Sequence, residues 1–174
     1  IDVTTIQNPT NKGYDILGNA LRLRENAFNL DGSGLFKLSS LDNITTITNG
    51  SLAFWLKTTD TKGILLKGQD NSHYLGAWTK HNDDWFDSPN GTGINPSAYT
   101  IYKDKLLSPL ISTDGDWHYY VMNGADFSNF TSVDFASYSG YEIDGLLDEV
   151  LIYDRPLTSK EITNNYKFGL RTHS

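Results

Sequence analysis

Carboxylates and aromatic rings are the groups through which this chain can do chemistry. Near its end, Glu142, Asp144, Asp148 and Glu149 fall within one acidic and apolar run. Alternate residues of a strand share a face, which would set Glu142 beside Asp144. Retaining glycoside hydrolysis needs two carboxyl groups about 5–5.5 Å apart. Farther back, Trp78, Asp83, Asp84, Trp85, Phe86, Asp87, Tyr99 and Tyr102 mix flat rings with carboxylates. Rings stack on the C–H faces of sugars while polar neighbours orient the hydroxyls, the usual anatomy of a small-ligand site. Such aromatics can equally cover a sheet or fill a protein interface. The histidines, His73, His81, His118 and His173, show no metal-ligand spacing. His118, between Trp117 and Tyr119, reads as a packed or hydrogen-bonded strand residue.

The elements that must position these groups are strands. Turn signals such as Asp31-Gly32-Ser33-Gly34, Asn49-Gly50 and Asp114-Gly115-Asp116 separate short apolar or alternating runs, predicting about ten strands. Ser51-Leu52-Ala53-Phe54-Trp55-Leu56-Lys57-Thr58 is nearly continuous in apolar character, as expected of a central strand buried on both faces. Gly63–Lys67 and His73–Trp78 read as an antiparallel pair, and Trp117–Met122 as another strong strand. Residues 79–97 form a long irregular stretch, and loops of that length are commonly functional.

The closing segment is the most informative. Asp144-Gly145 reads as a turn. Strand alternation then puts Leu146, Asp148, Val150 and Ile152 on one face and Leu147, Glu149, Leu151 and Tyr153 on the other. Pro156 stops the strand, since it has no N–H for the ladder. Thr158-Ser159-Lys160-Glu161 fits a capping box with Leu157 and Ile162 as its hydrophobic staple. Ile162 and Tyr166 share a helix face, and Gly169 is placed to end a short helix. The fold class is therefore all-β with a short C-terminal helix. Residues 1–174 form one domain, of which 1–17 are a polar lead-in.

A net charge of −7 disfavours nucleic acid, whose phosphates need a basic footprint. It also disfavours an anionic membrane surface, and no apolar run reaches the ~18 residues of a membrane span. With no cysteine, disulfides and thiol catalysis drop out together. A start at Ile1 rather than Met suggests a processed or excised fragment.

Taken in order, Asn19-Ala20-Leu21-Arg22-Leu23, Ser51–Lys57, Gly115-Asp116-Trp117-His118-Tyr119 and above all Ile143–Ile162 resemble the strands of the laminin G-like, concanavalin A-like jelly-roll family in its bacterial and phage branch. The ending looks like that family's pattern G-x-hDEh-x-hY-x-R-x-L-S-x-x-Eh, where h is apolar, with Thr158 in the place of its serine. The resemblance implies a two-sheet antiparallel jelly-roll sandwich that binds carbohydrate or neighbouring protein chains. Such domains are usually non-catalytic modules of virion, cell-surface or secreted proteins, and many hold one structural Ca2+. Asp148 matches an aspartate that helps bind that ion, with backbone carbonyls expected near Asn29, Asp31 and Gly50. Asp148 could instead accept backbone hydrogen bonds or pair with Arg22 or Arg24. Retaining glucanases of this fold carry E-x-D-x-x-E. Here Glu142 and Asp144 are followed by Leu147 where the acid would stand. A lectin-like module is the expectation, with a structural or decoration domain as the alternative and a glycoside hydrolase or lyase a distant third.

Overall fold

The structure, a computed structural model, describes residues 20–22, 28–31, 36–38, 44–67, 74–78, 99–108, 110–128, 130, 133–135 and 142–173. These form β1 (Ala20–Arg22), β2 (Phe28–Asp31), β3 (Phe36–Leu38), a 3-10 turn (Ile44–Thr46), β4 (Gly50–Thr58), β5 (Gly63–Lys67) and β6 (Tyr74–Trp78). They continue as β7 (Thr100–Lys103), β8 (Leu106–Leu107), β9 (His118–Ala125), β10 (Val133–Phe135), β11 (Asp144–Tyr153) and α1 (Ser159–His173). Every pairing among them is antiparallel. One sheet has the order β1-β11-β4-β9-β7-β8, with β2 also paired to β11; the other runs β3-β10-β5-β6. The described residues are thus mostly antiparallel sheet with one C-terminal helix.

β4 lies between β11 and β9 at the middle of the larger sheet. Leu52, Ala53, Phe54 and Trp55 are all fully buried, as the continuous apolar run requires. One face packs Ala53, Trp55, Tyr119, Val121, Leu151 and Tyr153 against Leu157 and Ile162 of the helical segment. On the other face, Phe54 stacks on Tyr120 across the β4–β9 pair, with ring centroids 5.5 Å apart.

Three local readings change. The alternation expected along β11 breaks, because its register against β4 shifts between Asp148 and Leu151. The extra residue is a β-bulge, with Glu149 at φ 47°. Asp148 consequently opposes Trp55, Leu151 opposes Ala53 and Ile152 opposes Leu52. Asp148 therefore shares a face with Leu151 and Tyr153 rather than with Ile152. Second, Asp144 and Gly145 are not a turn but the first residues of β11, hydrogen-bonded between β2 and β4. Glycine is needed there because a Cβ would run into the Lys57 carbonyl oxygen. Third, α1 does not stop at Gly169 but continues to His173. Gly169 instead lets the helix lie directly on Trp55, since a Cβ would collide with the indole nitrogen. The capping box forms as read: Thr158 N–H donates to Glu161 Oε2 at 2.8 Å, and Glu161 N–H to Thr158 Oγ1 at 3.3 Å. Asp31, read as a turn residue, ends β2 opposite Asp144.

Candidate functional site

Ser51 at the start of β4 opposes Tyr153 at the end of β11, so the segments flanking these positions run side by side. Between them, Thr46, Ile47, Thr48, Asn49, Asp154, Arg155 and Pro156 line a cleft of about 430 Å³, within the range of small-molecule sites. Its walls are fixed from behind. Phe127 N–H donates to the Ile47 carbonyl at 2.8 Å. Ser51 Oγ donates to the Arg155 carbonyl at 2.9 Å. Asn123 holds both backbone groups of Leu157, accepting from its N–H at 2.7 Å and donating to its carbonyl at 3.0 Å. Arg155 forms a two-pronged pair with Glu161, at 2.6 Å and 3.0 Å. That guanidinium, then the Thr158 amide, holds the Glu161 carboxyl down to about 2. Sequence reasoning had marked Asn49 only as the neighbour of Gly50 near an expected calcium carbonyl, and assigned no lining residue to a ligand cleft. The available signals were Asn49-Gly50 before a core strand and Asp154-Arg155-Pro156 after one.

A second polar cluster lies at the β7–β8 hairpin, whose two-residue turn places Asp104 at φ 49° and Lys105 at φ 70°. Asp104 Oδ1 accepts from Tyr119 N–H at 3.0 Å, and its Oδ2 lies 2.6 Å from His118 Nδ1. On the far side of the ring, Nε2 is 3.1 Å from Asp114 Oδ2. Hydrogen bonding to Asp104 raises the His118 pKa; burial opposes it, and the Asp104 and Asp114 charges add to the rise. Burial raises the Asp114 carboxyl, but the Asp116 amide and His118 outweigh it and bring it below the usual range. Both ring nitrogens face carboxylates that can only accept, so His118 works as a charged bridge between two loops. With both nitrogens engaged, neither is placed to take a proton from a substrate.

Asp148 is half-buried, while Arg24 and the Arg22 side chain, the arginines expected to pair with it, lie outside what the structure describes. Oδ1 accepts from Glu149 N–H at 2.7 Å, and Oδ2 lies 3.1 Å from Nε2 of buried His173. His173 in turn stacks on Trp55, with ring centroids 4.5 Å apart and planes 4° from parallel. Of the other residues expected around a metal, Asn29 opposes Leu146 and Asp31 opposes Asp144 on the same strand as Asp148. Gly50 pairs with Ala125 at the other end of β4 from Trp55, which opposes Asp148. At ~3.4 Å per residue that separation is on the order of 17 Å, far beyond a calcium–oxygen bond of ~2.4 Å. The four residues do not converge on one ion.

The expected aromatic platform is only partly described. Trp78 ends β6 opposite Gly63 in the smaller sheet, whereas Tyr102 lies on β7 in the larger one. Tyr99 is buried, and Tyr102 is half-buried against the cluster beneath α1. Asp83, Asp84, Trp85, Phe86 and Asp87 lie outside the described residues. Leu147, where the glucanase acid would stand, is fully buried opposite Leu56. Among the described residues, no helix is long and apolar enough to cross a membrane.

No protein-family model matches the chain, and no curated protein matches it by sequence. Among solved structures, it is similar to the binding domain of botulinum neurotoxin DC in complex with SialylT, at 15% identity and a TM-score of 0.43 over 87% of this chain and 45% of that one. The binding domain of the same toxin in complex with rat synaptotagmin II gives the same identity, TM-score and coverage. The receptor-binding domain of the C/D mosaic serotype gives 15% identity and a TM-score of 0.42, over 84% of this chain and 44% of that one. The chain spans less than half the length of these domains. At such identity and TM-score the likeness decides neither the fold nor a ligand of this chain.

Proposed function

We propose that the chain is a non-catalytic, surface-exposed carbohydrate-binding module of jelly-roll type, carried by a virion, cell-surface or secreted protein. The observation that carries this reading is the cleft between the ends of β4 and β11. It is lined by hydroxyl, carboxamide, carboxylate and guanidinium side chains on a braced backbone. Such groups, carried on a braced backbone, suit the orientation of sugar hydroxyls. The burial of Leu147 supports a binding role over a hydrolytic one. A glycan array, with and without chelator, tests the reading on wild type and on Asn49→Ala and Asp154→Ala. Glycan signals that both substitutions abolish support it. An array silent at millimolar sugar removes it.

A structural calcium ion belongs to the proposal in a narrowed form, resting on Asp148 and the β2 strand. Each Asp148 oxygen makes one of the two contacts its lone pairs allow. One observation favours the second reading, a protein-contact domain. Leu106 and Leu107 on edge strand β8 are 66% and 71% exposed, and exposed edges invite pairing with another chain. Cross-linking of wild type against Leu106→Lys and Leu107→Lys in the presence of its parent assembly checks that alternative.

A further inference from the structure

Beyond the cleft, α1 turns a row of cations to solvent, and we infer that this face docks an acidic segment of another protein chain. Lys160, Asn164, Lys167 and Arg171 recur at i, i+4, i+7 and i+11, so they lie along one stripe about 16 Å long. The same spacing set two residues later gives Ile162, Tyr166, Gly169 and His173, roughly 200° round the helix. Those residues seat α1 on the sheet, against Trp55 and its neighbours. The stripe therefore points straight outward, and all four of its residues are exposed. Among the described residues, Lys160, Lys167 and Arg171 form no ion pair or hydrogen bond through their side chains. Glu161, the only acid in the helix, is held by Arg155 and the cap. Of the chain's 14 basic and 21 acidic residues, three and one respectively are in α1, leaving 11 and 20 elsewhere.

Helix stability does not account for the stripe. Arg171 in the last turn suits the helix dipole, but Lys160 in the first turn opposes it. Nor is the pattern that of a membrane-surface helix, which turns an apolar face to the lipid and keeps its cations on the opposite, polar one. Here the apolar face of α1 is already packed on Trp55, and the outward face is centred on cations. Exposed apolar groups lie at one border of the stripe. Leu170 is 36% exposed, and on its side of the helix Lys105 Nζ sits 5.3 Å from the centre of the Tyr166 ring. That contact brings the β7–β8 hairpin, with exposed Leu106 and Leu107, up to α1 and adds a fourth cation. A bare polyanion would leave these leucines in water. A protein segment with carboxylates spaced along the stripe and apolar residues beside them meets both features by charge complementarity and burial.

Biolayer interferometry of the full chain tests this against a glutamate–tyrosine copolymer, poly-L-glutamate, heparin and phosphatidylserine vesicles. The copolymer is expected to bind most tightly, and more weakly as salt rises. Joint substitution Lys160→Glu, Lys167→Glu and Arg171→Glu should lower its affinity at least about tenfold, because like charges then face each other. Leu106→Ala with Leu107→Ala should narrow the gap between the copolymer and poly-L-glutamate. Should a melt show the charge-reversed protein to be unfolded, glutamine at the same three positions removes the charge without reversing it and decides instead. Copolymer binding that survives the loss of the three cations, or no binding at low salt, overturns the inference. Tighter binding of heparin or of the vesicles assigns the face to a polysaccharide or a lipid surface and overturns the protein partner. Self-association in sedimentation that the charge reversal abolishes puts a second copy on the helix and overturns it equally. None of the substituted residues lines the cleft, so the glycan reading is decided separately.

Discussion

His118 shows how two neighbours set the state of a third group. Asp104 and Asp114 favour its charged form, so its pKa lies above the ordinary value of 6.5. A group held more basic in the folded chain than in the unfolded one stabilises the fold fully below its unfolded pKa. That contribution fades as pH rises through the folded value. Thermal melts should accordingly show wild type losing stability as pH climbs from about 6.5, while His118→Asn, already less stable at pH 6, shows no such loss. Equal pH profiles for the two proteins would remove the bridge from the account. Tyr119 and Tyr120 offer a second contrast, because both are buried and only one hydroxyl is engaged. Tyr120 Oη accepts from Ser112 N–H at 2.9 Å. Among the described residues Tyr119 Oη has no hydrogen-bond partner, although Asn165 lies nearby, its carboxamide instead donating to Tyr153 Oη at 3.0 Å. Tyr120→Phe should cost about 1–2 kcal/mol in urea unfolding, whereas Tyr119→Phe should be neutral or slightly stabilising. A hydrogen-bonded His118 on a strand was legible in the sequence, but its partners were not, since Asp104, Asp114 and His118 meet only through a hairpin and a loop.

At the scale of elements, α1 depends on one missing side chain. Trp55 is stacked on His173 and, with centroids 5.7 Å apart, on Tyr166. The helix backbone at Gly169 closes over the indole nitrogen. Gly169→Ala would improve intrinsic helix propensity by ~1 kcal/mol, yet it forces a methyl into filled space. A net loss of about 2–3 kcal/mol is expected, read by chemical denaturation and by the near-ultraviolet dichroism of Trp55. A gain in stability would show that the helix is not seated on the sheet. The start of this helix could be read from Thr158, Glu161, Leu157 and Ile162, because a cap is written in neighbouring residues. Its end could not, because Gly169 answers to Trp55, a residue far away in the chain. The same division holds for strands. β4 and β9 announce themselves as apolar runs, while β2 is polar at two of its four positions and β8 has only two residues.

At the scale of the whole molecule, the antiparallel sheets and the C-terminal helix were legible, and the cleft was not. Its lining comes from two segments that the β4–β11 pairing alone brings together. Chelation is the matching test for the calcium proposal. A specifically bound ion stabilises the folded state by mass action, so EDTA should lower the melting midpoint by several degrees, and an unchanged midpoint removes the ion. The bulge between Asp148 and Leu151 has a consequence for the fidelity of folding. It gives the two halves of β11 opposite parity, and the apolar side chains at each end reach their proper faces in one alignment with β4 only. A strand of uniform alternation could slide by two residues and still look satisfied. Here the same slide would draw Asp148 away from His173 and carry the kink to where β4 has no matching irregularity. The extra residue thus serves as a proofreading mark on the longest described strand, and its deletion should yield a chain prone to misaligned, aggregating sheets.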